Sequence, residues 1–439
     1  MLGVGFGLAV IVGNTIGAGI LRAPGDVAKQ LPQPLLFIGV WIAGATYALL
    51  GANAVAELGT MLPRSGGQYI YARHALGDYA GFVVGWSDWL STCGTTAAVS
   101  IVIGDYSGAL VPALNGRTVP VALAVTICFA VIQWRGIRWG SAVQNVTSLL
   151  KCLAFAALII ACFALGGDTR GAETNALAMP HGLAWLFPLV LSLQAVIYTY
   201  DGWAGVVYFS EEVERPERDI SRALFGGVLL VLTIYLLVNL ALLYVLPLSK
   251  MAGQDLAVGA AAQEIFGANG DRVLRALTVV SMLSGINAYQ LMATRVLFAM
   301  SRDKLFATRA ARVNAGGTPA IALFISCAVS LLFIVLSGTF AKIIAALSFF
   351  FVANYAMTFT SLFVLRQREP ERQRPFRAWG YPWTVALALA GSILFLCGAI
   401  AIDLTGETRE SLYALALLAA SYPAYKLVRL IESPRRASR

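Results

Sequence analysis

The chain has 439 residues, of which 58% are hydrophobic and only 13% are charged, and its mean hydropathy is +0.74. This composition excludes an ordinary water-soluble domain and is typical of a protein that crosses a membrane many times. The formal net charge of +9 is compatible with nucleic-acid binding, but the placement of the cations in loops explains it better. We therefore expect no nucleic-acid partner.

Apolar segments long enough to cross a bilayer recur along the whole chain, since a spanning helix needs about 20 such residues. Some exceed one crossing and are expected to tilt, break or extend beyond the membrane. The predicted fold class is an all-α, polytopic membrane protein with about twelve transmembrane helices. The twelve segments are 3–30, 34–61, 78–112, 118–136, 143–166, 184–211, 223–247, 271–301, 318–337, 341–366, 380–403 and 410–431.

Lys and Arg residues are concentrated in alternate loops, for example in 215–222 and 366–377. Because cytoplasmic loops of membrane proteins carry an excess of these cations, the pattern places both termini in the cytoplasm. We therefore predict a multi-pass protein of the cell membrane, with the lipid bilayer as its surroundings.

The first apolar segment contains an interruption at residues 13–20, which read GNTIGAGI. Glycines weaken a helix, and backbone groups freed in hydrocarbon cost several kcal/mol each, so a lipid-facing helix would not tolerate this break. The break is tolerated if it lines a cavity, where a polar ligand can bind the freed backbone groups. The half-helix after it would offer unpaired N–H groups and a positive dipole end to an anion. We interpret this stretch as the carboxylate site of a transporter.

The sixth segment carries a similar interruption around Asp201 and Gly202, five segments after the first. Matching breaks in two halves of a transporter indicate an inverted repeat with its binding site near the middle of the membrane. We predict one repeat in residues 1–166, a second in 184–366, and two added helices in 380–431.

Two of the charged residues inside predicted helices, Lys151 and Asp88, are candidates for a specific role. Lys151 lies about two turns into the fifth segment, where it either extends to the membrane surface or has a functional role. Asp88 in the third segment is interpreted as a structural, hydrogen-bonded carboxylate.

Several motifs resemble those of the amino acid–polyamine–organocation superfamily, in particular its bacterial permeases related to the L-amino-acid transporters. They are IGAGI with RAPG, PRSGGQYIYARHALG, YDGW with EEVERPERDISRA, and SRDKLF with VNAGGTP, and their order covers nearly the whole chain. The family's usual Phe after GAGI is Leu21 here, and Lys304 and Ala307 depart from its SRDGLFP-like run; neither change touches the proposed pocket. The resemblance implies the five-plus-five inverted-repeat fold of the sodium-coupled leucine transporters.

The resemblance also implies roles for individual residues. Substrate would contact the first break and the sixth segment, with Tyr198 as an aromatic gate. The ammonium of Lys151 would occupy the place of a sodium ion. Because burial favours the neutral amine and nearby carbonyls favour the charged form, we further predict that Lys151 couples transport to protonation. Polar residues of the eighth segment would complete the lining. The implied substrate-binding residues are Asn14, Thr15, Ala18, Gly19, Ile20, Tyr198, Asp201, Ser281, Ser284 and Asn287.

The predicted function is sodium-independent amino-acid transport by alternating access, through proton coupling or exchange, with neutral L-amino acids favoured. The alternatives are a cationic amino-acid or polyamine antiporter, in which Asp201 attracts a second cation, and a membrane amino-acid sensor without transport. The sequence decides neither the substrate nor whether there is an accessory subunit.

We expect no enzyme, no cofactor and no metal site. The two histidines, His74 and His181, lie in loops on predicted opposite faces of the membrane, and the six cysteines lie in apolar segments without a CxxC pair. Neither pattern is typical of a catalytic or metal-binding protein.

Overall fold

The computed structural model describes residues 3–135, 137–167, 185–267, 270–337, 340–405 and 409–432. These residues form helices joined by loops, and helices cover each of the apolar segments predicted from the sequence. In chain order the helices are α1 Val4–Thr15, α2 Ala18–Gln30, α3 Pro34–Met61, α4 Tyr69–Leu76, α5 Asp78–Leu110, α6 Thr118–Trp134, α7 Ile137–Leu165, α8 Leu186–Tyr200, α9 Pro216–Val245, α10 Leu248–Met251, α11 Ala257–Phe266, α12 Gly270–Arg302, α13 Ala320–Ser337, α14 Phe340–Arg368, α15 Trp383–Thr405, α16 Glu410–Ala419 and α17 Ser421–Glu432.

Six helices in the described part of the chain are long and apolar enough to cross a membrane, namely α3, α9 and α15 with large parts of α7, α12 and α14. The pair α1 and α2 adds a seventh span if it is counted as one broken helix, with a bend of 44°. Helices α6 and α13 are apolar but shorter. The protein is therefore a multi-pass membrane protein built from helices.

The break between α1 and α2 consists of Ile16 and Gly17, as the glycine pattern predicts. Ile16 is extended, with φ −78° and ψ 96°, and Gly17 has φ −147° and ψ −143°. No side chain caps α2, so the N–H groups of its first turn lack a capping partner.

Helix α5 lies at the centre of the molecule and is buried over most of its length. It packs against α4, α6, α12, α13 and α14, while α9 packs against α1, α3 and α7. Large apolar residues face outward on the peripheral helices, for example Leu153, Leu229 and Leu394. This outer surface is suited to lipid, and the polar groups lie inside.

The segment that begins α4 lies inside the protein. Its Tyr69, Ile70 and Tyr71 are all buried. Tyr69 also donates a hydrogen bond to Asp303, at 3.2 Å. The glycines before the helix explain this, because Gly66 and Gly67 have positive φ and fold the loop back against Tyr69 and Tyr208.

Candidate functional site

The two interrupted helices contact each other directly at their breaks. Helix α8 ends at Tyr200, and a turn through Gly202 leads into a short 3₁₀ helix, Gly205–Glu212. Gly202 has φ +103°, and a Cβ atom there would lie 2.9 Å from Cβ of Asn14 and 3.1 Å from N of Thr15. Only glycine readily adopts this positive φ and also lacks the Cβ atom that would clash with α1. The second break therefore packs tightly against the first.

Tyrosine hydroxyls satisfy carbonyl groups that the break leaves without helical partners. The hydroxyl of Tyr235 lies 2.6 Å from the carbonyl oxygen of Thr15 and 2.9 Å from that of Thr199. The hydroxyl of Tyr289 donates to the carbonyl of Asn14. These bonds hold α9 and α12 to the break and offset the cost of exposing backbone acceptors in an apolar interior.

Lys151 of α7 also contacts the break. Its side chain is 2% exposed, and Nζ donates to the carbonyls of Gly13, at 3.1 Å, and Ile16, at 3.2 Å. These carbonyls lie at the C-terminal end of α1, where the helix dipole attracts a cation. No described carboxylate forms an ion pair with Lys151. The side chain therefore points to the interior break and not to the membrane surface.

A polar cavity lies between α1, α2, α5, α8 and α12 at this point. Two of its buried side-chain atoms, Oδ1 of Asn14 and Oγ1 of Thr15, have no hydrogen-bond partner among the residues that the structure describes. Buried polar atoms without partners are rare in folded proteins and often mark a binding site. The cavity is lined by Asn14, Thr15, Gly17, Gly19, Thr95, Tyr198, Thr199, Asp201 and Tyr289.

Five of the predicted site residues line this cavity, namely Asn14, Thr15, Gly19, Tyr198 and Asp201. Tyr198 is stacked on Phe351, with ring centroids 6.5 Å apart. The carboxylate of Asp201 accepts a hydrogen bond from the hydroxyl of Tyr355. Ala18 begins α2, and its side chain lies outside the described part of the structure; the side chain of Ile20 is buried in the core.

The three predicted residues of α12 are not among those that line this cavity. Asn287 accepts hydrogen bonds from Gln133, at 2.8 Å to its carbonyl and 3.0 Å to Oδ1. Ser284 is buried at 2% exposure, and Ser281 lines a separate cavity beside Lys151.

A second cavity continues from the first and shares Thr95, Asp201 and Tyr289 with it. It extends towards Asp88 and Gln68. The carboxylate of Asp88 lies 2.7 and 2.9 Å from the hydroxyl of Tyr208, which is the hydrogen-bonded arrangement predicted for it. The two cavities are therefore neighbours on either side of these three residues.

Sequence reasoning missed Thr95, Tyr235, Tyr289 and Tyr355. Each is a polar residue inside a long, mostly apolar helix, and a buried tyrosine hydroxyl normally needs a partner. That signal indicates a polar interior, but it does not reveal which backbone group a tyrosine reaches more than 200 residues away.

The described residues contain no group of three or more His, Cys, Asp and Glu side chains that is suited to a metal ion. The six cysteines are not in disulfides. His181 lies outside the described residues.

The fold and the paired breaks define a membrane permease, and comparison with known proteins gives its family. The model of the amino acid permease family matches residues 7–421, so the chain belongs to that family, and the superfamily resemblance is confirmed. The chain is 28% identical over 430 residues to the serine/threonine exchanger SteT of Bacillus subtilis, covering 96% of both chains.

Two mammalian relatives are also similar. The mouse Asc-type amino acid transporter 1 is 28% identical over 390 residues, which cover 84% of this chain and 71% of the relative. The rat large neutral amino acids transporter small subunit 2 is 29% identical over 425 residues, which cover 90% of this chain and 77% of the relative. These relatives are transporters rather than enzymes.

Proposed function

We propose that this permease moves neutral L-amino acids across the cell membrane by alternating access, through exchange or proton coupling and without sodium. The names of the relatives support amino acids as the substrate class, and the exchanger among them supports exchange. No accessory subunit is part of the proposal.

The observation that carries the proposal is the meeting of two helix breaks at one polar cavity. A substrate carboxylate would bind the N–H groups at the start of α2, from Ala18 to Ile20, where the helix dipole attracts an anion. The substrate amino group would bind carbonyls of Thr15, Tyr198 and Asp201. Oδ1 of Asn14 and Oγ1 of Thr15, which have no partner within the described part of the chain, support a ligand with hydrogen-bond donors.

Tyr198 would close over the bound substrate, since its ring lines the cavity and stacks on Phe351. Asp201 contributes to the choice between neutral and cationic substrates. Its carboxylate already accepts a hydrogen bond from Tyr355, so a second substrate cation would have to compete for it. This contact favours neutral amino acids over the antiport of cationic amino acids or polyamines.

Lys151 is the proposed replacement for a sodium ion. Its two bonds to carbonyls at the end of α1 supply the positive charge that a bound cation would otherwise provide there. Loss of a proton from this group would weaken both bonds and release α1, which is how protonation would be coupled to movement.

The proposed architecture has twelve transmembrane helices, with repeats in residues 1–166 and 184–366 and two added helices in 380–431. In this arrangement both termini are cytoplasmic. The loop containing α10 then lies on the outer side, where Asp255 pairs with Arg22 of α2 at 2.9 Å and N–H of Gly253 donates to the carbonyl of Gly25. These contacts would close the outer end of the site, while the second cavity extends towards the cytoplasm.

The test is a competition panel in proteoliposomes that contain the purified protein and an internal amino-acid pool. Uptake of labelled L-serine should be inhibited by neutral L-amino acids and not by their methyl esters, which lack the carboxylate charge. Equal inhibition by esters and free acids would overturn the proposed carboxylate site. Inhibition by arginine or putrescine alone would favour the cationic alternative.

A further inference from the structure

A separate cavity lies on the other side of Lys151, between α2, α7 and α12. Its walls are mostly apolar, and its residues are Leu21, Lys151, Ala154, Phe155, Leu158, Leu274, Thr278 and Ser281. None of these residues lines the polar cavity at the breaks. This cavity is therefore separate from the polar cavity at the breaks. Lys151 connects it to α1 through its hydrogen bonds to the carbonyls of Gly13 and Ile16.

The polar groups of this cavity are all able to donate hydrogen bonds. Lys151 has three N–H groups when charged, and the described residues account for two of them, at the carbonyls of Gly13 and Ile16. Thr278 is 3% exposed, and Ser281 follows it one turn later on α12. Neither hydroxyl has a hydrogen-bond partner among the described residues.

The charge of Lys151 is not balanced by a carboxylate in the described part of the protein. A buried cation without a counter-charge is costly, because transfer of a charge out of water is repaid only by close partners. The two carbonyl dipoles attract the ammonium but do not neutralise its positive charge. The remaining N–H group and the two hydroxyls are suited to an anion with several acceptor lone pairs, which describes a carboxylate.

The other end of the cavity indicates where the anion comes from. Ala154, Leu274 and Ser281 are half-buried, and the residues beside them, Leu153 and Val280, are each 58% exposed on the apolar outer surface. The cavity thus opens where α7 and α12 face lipid. Apolar walls that lead from lipid to a buried cation suit a molecule with a hydrocarbon chain and one negative end.

We propose that this cavity binds a fatty-acid anion, with its carboxylate at Lys151, Thr278 and Ser281 and its alkyl chain along Phe155, Leu158 and Leu274. The ligand would hold Lys151 against the end of α1 and brace α2 against α7 and α12. Binding would therefore restrain the movement of the break and slow transport. The proposal concerns the fatty acid only and does not depend on which amino acid is carried.

The test measures binding of labelled decanoate to the purified full-length protein in detergent, below the critical micelle concentration of decanoate, by equilibrium dialysis. The wild type should bind about one decanoate per chain. Decanol has the same chain without the charge and should bind at least about tenfold more weakly, because charge-assisted hydrogen bonds are lost. Equal binding of decanol would overturn the role of Lys151.

Two variants locate the site. Ala154→Phe fills the cavity and should abolish saturable decanoate binding, whereas the neighbouring Leu153→Phe points to lipid and should leave it unchanged. Thr278→Val removes one hydroxyl at nearly constant volume and should weaken binding several-fold. Amino-acid binding should persist in all three, which separates this proposal from the transport site. Unchanged decanoate affinity in both Ala154→Phe and Thr278→Val would refute the proposed location.

Discussion

Gly19→Ala tests the close approach of α2 to α8 at the proposed carboxylate site. A Cβ atom at Gly19 would lie 2.7 Å from Oγ1 and 2.9 Å from Cα of Thr199. The Cα atom belongs to the backbone of α8 and cannot rotate away, so the start of α2 must shift. Overpacking of this kind costs about 1–3 kcal/mol, which corresponds to a ~5- to 150-fold loss of amino-acid affinity if it appears wholly in binding.

The assay is scintillation-proximity binding of a labelled neutral amino acid, combined with thermal unfolding to separate affinity from stability. Gly39→Ala is the matched control, because a Cβ atom at Gly39 meets nothing within 4 Å. It should leave affinity unchanged and stabilise α3 by roughly 0.5–1 kcal/mol. Gly19→Ala with wild-type affinity and wild-type stability would refute the reasoning.

Three further predictions concern other parts of the molecule. Lys151→Met should lose most amino-acid transport in proteoliposomes, because the carbonyls at the end of α1 lose their cation; full activity would contradict this. Tyr198→Ala should reduce transport by about tenfold or more while Tyr198→Phe retains most of it, since the ring is what closes the site; equal losses would indicate a role for the hydroxyl instead. Glu57 is fully buried and lies 2.7 Å from Arg366 and 3.0 Å from Arg374. Glu57→Gln should therefore lower the free energy of unfolding by about 3 kcal/mol. The partly exposed pair of Glu369 and Arg372 provides the control, with an expected cost below about 1 kcal/mol for Glu369→Gln.

The helix breaks were predictable because their signal is local. Gly13, Asn14 and Gly17 weaken a helix wherever they stand, and an apolar segment around them leaves few explanations besides a cavity. The same reasoning identified the break at Asp201. Local composition was also enough to locate the helices, since hydrophobicity largely determines where a chain crosses a membrane.

The partners of the breaks were not predictable, because they depend on tertiary packing. Nothing around Tyr235 indicates that its hydroxyl reaches Thr15, a residue 220 positions earlier. The roles of Ser281 and Asn287 follow from the resemblance alone, and the structure places Ser281 at the Lys151 cavity and Asn287 beside Gln133. The burial of Tyr69 and Tyr71 also depends on tertiary packing, since an amphipathic segment has the same sequence pattern whether it faces lipid or protein.

The central claim is that amino acids cross at the two breaks while Lys151 takes the place of sodium. The most direct measurement is amino-acid uptake into proteoliposomes with all sodium replaced by choline, with and without an internal amino acid and an imposed pH gradient. The account predicts full uptake without sodium, driven by the internal amino acid or by the pH gradient, and its loss in Lys151→Met. Uptake by the wild type that requires sodium would contradict it.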